Sequence, residues 1–181
     1  DGACLGQTLL VPSKATWVNL DSWKPGSIAV NASGVVAVTG AVVTSGVDTD
    51  VLVARIDGTN VWQKAFASPT TNDAGQAVAL NAAGDVFVTG YFRESLDITS
   101  PALTEPGGHA LFVARLAASN GATLWGKRWG CTNPSPSYGP DRGVALVLDA
   151  NGDVLVGGAA ITGGCDFGDG TPVLGAGQSD A

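Results

Sequence analysis

Short runs of apolar residues, many at period two, alternate along this chain with Gly, Asn and Asp. An apolar side chain at every second position turns one face of an extended strand toward a core. The pattern predicts one kind of strand over residues 27–31, 77–81 and 143–149, and a second over 35–42, 86–92 and 154–160. Each pair is split by an Asn/Asp-x-x-Gly sequence, in which Gly34, Gly84 and Gly152 fit a hairpin position of positive φ where a Cβ would clash. A third kind of strand carries a Val-Ala-Arg block, at 51–56 and 111–116. A fourth carries a Trp, at 60–67 and 122–129, with Asp57-Gly58 and Asn120-Gly121 marking the turns between them. Val, Ala and Thr dominate these stretches, and helix has little support.

The strands recur as blocks. Ser27-Ile-Ala-Val-Asn-Ala-Ser-Gly-Val-Val-Ala-Val-Thr-Gly40 returns from Ala77 to Gly90 and again from Ala145 to Gly158, while Val51-Leu-Val-Ala-Arg-Ile56 returns as Leu111-Phe-Val-Ala-Arg-Leu116. Self-similarity in fixed order is the mark of an array of one supersecondary unit. Four antiparallel strands per unit suggest an all-β fold of propeller blades, since radial stacking buries both faces of each sheet between neighbours. On this reading residues 1–26 form a degraded or half blade, 27–67 a first whole blade, 68–130 a second, and 131–181 the first half of a third that ends mid-blade. The expected ring is incomplete at about three blades, below the usual four to eight, and its unpaired strand edge invites self-association or completion by further blades.

The blocks at 77–90 and 112–116, together with Trp125-Gly-Lys127, resemble the bacterial β-propeller repeat family labelled SBBP. The resemblance covers nearly everything from Ser27 onward. It implies a propeller, commonly on exported or surface bacterial proteins, and no single activity.

Composition narrows the partners. The net charge is −7 with no cluster of Lys or Arg, which argues against nucleic acid or an anionic membrane surface. No apolar run approaches the roughly 20 residues of a membrane-spanning helix, so membrane insertion is not expected. At 45% hydrophobic and 14% charged, the chain has enough apolar material for a core.

Three Cys residues leave at least one free, buried or paired elsewhere. Cys131 opens the link between the second and third blades and Cys165 lies in a link of that third blade, so the two fall on one rim and are expected to form a disulfide. Such a bond places the protein in an extracellular, periplasmic or cell-surface setting. Cys4 has no assigned role.

Catalytic constellations are scarce. One His, His109, excludes metal sites built from several imidazoles within one chain, and no nucleophile-elbow glycine pattern accompanies any Ser. His109 is expected as an exposed loop or strand-edge residue. Asp149, Asn151 and Asp153 surround Gly152 as calcium candidates, but the terminal bidentate Glu of a calcium loop is missing and the matching turns at Asn31 and Asn81 lose the ligands. Apart from calcium, no cofactor is expected. Arg55 and Arg115 are expected to lay their stems over a sheet edge and pair locally.

The links at one rim are uniform and tight, and those at the other are long and irregular, over 44–49, 93–108 and 163–179 and over 68–73 and 130–141. Variable loops on a rigid scaffold are where recognition resides. This rim is acidic, and Asp141, Asp166 and Asp169 with Tyr138 and Phe167 are its expected contacts for a protein or glycan partner. The expectation is a non-catalytic exported or cell-surface propeller module for binding or structural assembly. The alternative is a propeller enzyme, a quinoprotein-like oxidoreductase or a glycan hydrolase or lyase, whose active residues lie outside this segment.

Overall fold

The computed structural model describes residues 27–45, 48–58, 60–68, 72–130 and 141–159. Within them every regular element is a strand and every pairing is antiparallel. Strands β1 (Ile28–Val30), β2 (Val36–Ser45), β3 (Asp48–Asp57) and β4 (Asn60–Phe66) form one sheet in that order. A second sheet is β5 (Ala74–Leu80), β6 (Val86–Leu96), β7 (Leu103–Leu116) and β8 (Thr123–Trp129). A third pairs β9 (Arg142–Leu148) with β10 (Val154–Ala159). Cys4, Cys131 and Cys165, and with them the expected disulfide, lie outside the described residues.

Repetition extends to the hydrogen bonds. Val30 pairs with Val36, Leu80 with Val86 and Leu148 with Val154, one register made three times. In each intervening turn the first side chain holds the backbone. Asn31 Oδ1 accepts from the N–H of Val35 at 3.1 Å, Asn81 Oδ1 from Asp85 at 2.8 Å and Asp149 Oδ1 from Asp153 at 2.8 Å. The glycine that closes each turn has φ of 79°, 82° and 86°, a region that a β-carbon disfavours.

The sheets stack face to face with the second in the middle. Val51, Val53 and Phe66 of the first sheet pack with Val86, Val88, Phe92 and Phe112 of the second. The opposite face of the second, with Ala77, Phe87, Leu111 and Val113, packs against Leu146, Leu148 and Val154 of the third. Burial on both faces explains why β6 reads as a nearly unbroken apolar run where a half-buried strand would alternate.

Each junction turns on one close approach. Thr39 Oγ1 donates to the carbonyl of Leu52 at 2.8 Å, and Gly75 of the next sheet lies directly over it, so that a β-carbon there would sit 1.9 Å from that oxygen. Thr89 Oγ1 donates to Phe112 at 2.6 Å beneath Gly143, where a β-carbon would sit 2.0 Å away. In the third repeat Gly157 stands where the first two have Thr39 and Thr89.

One element departs from the sequence reading. Residues 93–108, expected as an irregular link, largely continue the strands: Glu94, Ser95 and Leu96 pair with Glu105, Thr104 and Leu103 after a register shift at Arg93. Leu96 and Ile98 are buried, which gives this long hairpin its own apolar anchor.

Gly75→Ala is expected to destabilise the protein by about 1–3 kcal/mol, because the stiff, hydrogen-bonded Thr39 has no easy way to withdraw. Adding Thr39→Ala removes the collision, so the double variant should unfold at a higher denaturant concentration than simple addition of the two losses gives. Equilibrium unfolding of the four proteins checks this, and strict additivity would refute the contact.

Candidate binding rim

At the irregular rim the backbone of one sheet is tied to the link that enters the next. The N–H of Asp73 donates to the carbonyl of Thr49 at 2.7 Å, and Asn72 Oδ1 accepts from the N–H of Thr49 at 3.0 Å. Asp73 Oδ1 accepts from the N–H of Arg93 at 2.9 Å, and Ser68 Oγ donates to the carbonyl of Arg93 at 3.0 Å. Ala67 and Asp97 are joined twice: the N–H of Ala67 donates to Asp97 Oδ1 at 2.6 Å, and the N–H of Asp97 donates to the carbonyl of Ala67 at 3.2 Å. Arg128 and Glu105 form an ion pair beside the long hairpin.

The rim is therefore less exposed in its acidic groups than its sequence suggests. Asp50, Asp73 and Asp141 are 2%, 0% and 6% exposed, whereas Glu94 and Asp97 are exposed. Burial pushes the Asp50 carboxyl up, the negative charges of Asp97 and Asp48 push the same way, and a hydrogen bond from the Ser68 backbone opposes them. Asp73 works as a backbone acceptor that fixes the start of the second sheet.

His109 is half-buried in β7, where an exposed loop or strand-edge residue was expected. It meets the Tyr91 ring edge to face at 6.1 Å and pairs in register with Arg93. Burial, followed by the charge of Arg93, lowers its pKa and favours the neutral imidazole. Burial and the charge of Asp73 raise the Tyr91 hydroxyl, against an opposing pull from Arg142.

Of the expected partner contacts, Asp141 is described and is buried. Tyr138, Asp166, Phe167 and Asp169 lie outside the described residues. Glu94, one of the acidic residues of this rim, was not among the expected contacts. Its φ of 64° is left-handed, and its side chain stands exposed at the register shift of β6.

The opposite rim carries the calcium candidates. Asp149 Oδ1 accepts from the N–H of Asn151 and of Asp153, both at 2.8 Å, and Oδ2 accepts from Asn151 Nδ2 at 3.2 Å. These are bonds of a side-chain-closed turn. Among the described residues no group of three or more His, Cys, Asp or Glu side chains converges as a metal site.

The two Arg residues of this rim each pair with a nearby carboxylate, as expected, but differ from each other in burial and reach. Arg55 is 4% exposed and passes between sheets: Nε donates to the carbonyl of Gly84 at 2.9 Å, and Nη2 pairs with Asp57 at 3.0 Å. Arg115 stays within its own sheet, pairing with Asp85 at 2.6 Å and lying 5.4 Å from the centre of the Phe87 ring. Asp85 Oδ1 also accepts from the N–H of Ala118 at 2.9 Å. Burial alone would raise the Asp85 pKa, but the bonds from Arg115, Ala118 and Asn81 together hold it below the usual carboxylate range. Sequence reasoning passed over Asp85; the available signal was the Gly-Asp pair after the turn, repeated at Gly152-Asp153.

Asp85→Ala is expected to cost about 1–3 kcal/mol near neutral pH, since Arg115 and the Ala118 N–H lose a charged partner. A carboxylate with a depressed folded pKa stabilises above its unfolded value and loses that stabilisation as pH falls through the folded one. The gap between wild type and variant should thus close below pH about 4, as unfolding curves over a pH series would reveal; a gap that stays constant would contradict the ion pair. Glu94→Gly should raise stability by about 1 kcal/mol by removing a left-handed non-glycine residue, with the melting temperature as the readout and a decrease as the opposing result. Comparison with protein-family models and with curated proteins gives no match to this chain.

Proposed function

We propose that this chain is a run of stacked blades from a β-propeller of the SBBP repeat type, and that it serves as a non-catalytic exported or cell-surface module for binding or assembly. The observation that carries the reading is the repeated junction between sheets: the same glycine-over-threonine contact at Gly75 and Gly143 sets each sheet on the one before it. Among the described residues two four-stranded sheets and a two-stranded one stack in chain order, which supports the reading as successive blades.

The described polar groups favour a scaffold over an active centre. Asp73, Asp85 and Asp149 accept bonds from backbone N–H groups, and Arg55 donates to a backbone carbonyl. Recognition then falls to the irregular rim, where Glu94 on the long hairpin is exposed, and to Asp166 and Asp169, which the sequence reading assigns to the same role. A basic protein surface or a glycan suits such a rim, and export follows from the family resemblance.

The test measures binding of the protein to a panel of immobilised basic proteins and bacterial surface glycans at two salt concentrations. A basic protein held by the rim should bind severalfold more weakly in high salt, because exposed charges are screened over about 8 Å at physiological ionic strength. The triple variant Glu94→Gln, Asp166→Asn, Asp169→Asn should weaken binding with melting unchanged. Hydrolysis of a glycan or dye-linked oxidation by these residues alone would reverse the reading in favour of an enzyme.

A further inference from the structure

The long hairpin between β6 and β7 belongs to the second sheet but reaches back to the first. Leu96 and Ile98 are 0% and 1% exposed, and with Leu103 packed beside them they share one apolar cluster with Phe66 of β4 and Phe112 of β7. Asp97 fixes the reach, since its N–H and one carboxylate oxygen both bond to the backbone of Ala67, the residue after β4. Thr99 rests on β8, where a β-carbon on Gly126 would sit 2.6 Å from its methyl carbon. The first junction between sheets is thus closed at the irregular rim by a fold-back of the chain.

At the second junction Val113, Trp125, Lys127, Trp129, Val154 and Val156 line a cleft of about 380 Å³. They stand in the places that Val53, Trp62, Lys64, Phe66, Val86 and Val88 hold one repeat earlier. Val88 is 0% exposed and Val156 is 37% exposed, so the described residues leave part of this wall uncovered.

The chain carries a second copy of the fold-back sequence. Leu96-Asp97-Ile98, followed by Ser100-Pro101-Ala102-Leu103, returns in the same order as Cys165-Asp166-Phe167, followed by Thr171-Pro172-Val173-Leu174, in the link after β10. The link between β2 and β3 is too short to hold one. Gly130 follows β8 as Ala67 follows β4, so the partner that Asp97 uses also has its counterpart.

We propose that residues 165–174 fold back as 96–103 do and close the second junction. Asp166 Oδ1 then accepts from the N–H of Gly130, Phe167 enters the cleft at its Trp129 end, and Cys165 and Leu174 extend the apolar cover. Phe167 on Trp129 replaces the Ile98 and Phe66 of the first junction, and an aromatic pair gains from edge-to-face geometry as well as from burial. Ser68 and Leu96, which flank the bonded pair Ala67 and Asp97, correspond to Cys131 and Cys165, so the same fold-back brings toward each other the two cysteines expected to bond. Asp97 stays exposed while it holds Ala67, which leaves Asp166 the same freedom to face a partner. The inference rests on the stacked-blade reading, and it moves Phe167 from the partner contacts into the junction.

The test is nuclear Overhauser and hydrogen-exchange measurement on the labelled 181-residue protein. Cross-peaks between the Phe167 ring and the Trp129 indole are expected, with slow exchange of the Gly130 amide. Asp166→Ala should speed Gly130 exchange about tenfold or more with the β9 amides unaffected, whereas Asp166→Asn, which keeps the acceptor oxygen, should leave it within about twofold. Should Asp166→Ala unfold the protein, the wild-type cross-peaks decide. Gly130 exchange indifferent to Asp166→Ala overturns the proposal. So do Trp129 cross-peaks that come only from a second molecule in a mixed-label sample, or from no residue of the chain, which assign the cleft to another copy or to a ligand. Asp97→Ala, read at the Ala67 amide, separates the two levels: if it speeds exchange while Asp166→Ala does not, the second fold-back alone fails, and if neither responds the stacked-blade reading fails with it.

Discussion

The close approach of Gly75 to Thr39, repeated by Gly143 over Thr89, is the constraint on which the rest of the structure depends. Flat apolar sheets can slide and rotate against each other, because dispersion and hydrophobic burial are non-directional. A threonine whose hydroxyl is already committed to a carbonyl of its own sheet is a fixed bump, and a glycine in the next sheet is the notch that accepts it. The contact sets both the separation and the register of the two sheets. With it in place, Phe112, Val88 and Val53 meet in one core, and Trp62 reaches the carbonyl of Ala118.

Polar side chains finish what that contact begins. Arg55 crosses from the first sheet to the Gly84 carbonyl, Asn31 Nδ2 donates to the carbonyl of Asn81 at 3.1 Å, and Ser27 Oγ accepts from the N–H of Val78 at 2.7 Å. On the other rim Asp73 and Asp97 bind backbone N–H groups of Arg93 and Ala67. An acidic chain thus uses part of its charge to cap strand ends and link entries, while Asp57, Glu94 and Asp153 remain exposed. These bonds join the first sheet to the second, so a change in the turns at Asn31 or Asn81 would displace a donor or acceptor that the two sheets share.

Local features were legible in the sequence because local physics produces them. Period-two alternation, the Asn/Asp-x-x-Gly turns and their positive-φ glycines gave the strands to within a few residues, and antiparallel all-β architecture follows from them. Burial of Asp73, Asp141 and Arg55 was not legible, since it depends on partners brought together by stacking and the letters alone look like solvated charge. The long hairpin was missed for a related reason. Arg93, Glu94 and Ser95 interrupt the apolar pattern and read as loop, yet Leu96, Ile98 and Leu103 beyond them supply an apolar patch that keeps the strands paired. Glu94 in a left-handed conformation marks the place where the register shifts and the pattern resumes.

The most direct measurement is nuclear magnetic resonance on the labelled protein, reading nuclear Overhauser effects from the α-protons of Gly75 and Gly143. The account predicts cross-peaks from Gly75 to the Thr39 methyl group and from Gly143 to the Thr89 methyl group, together with the ordinary cross-strand peaks inside each sheet. Sheets that show their internal peaks while both inter-sheet pairs are missing would contradict it.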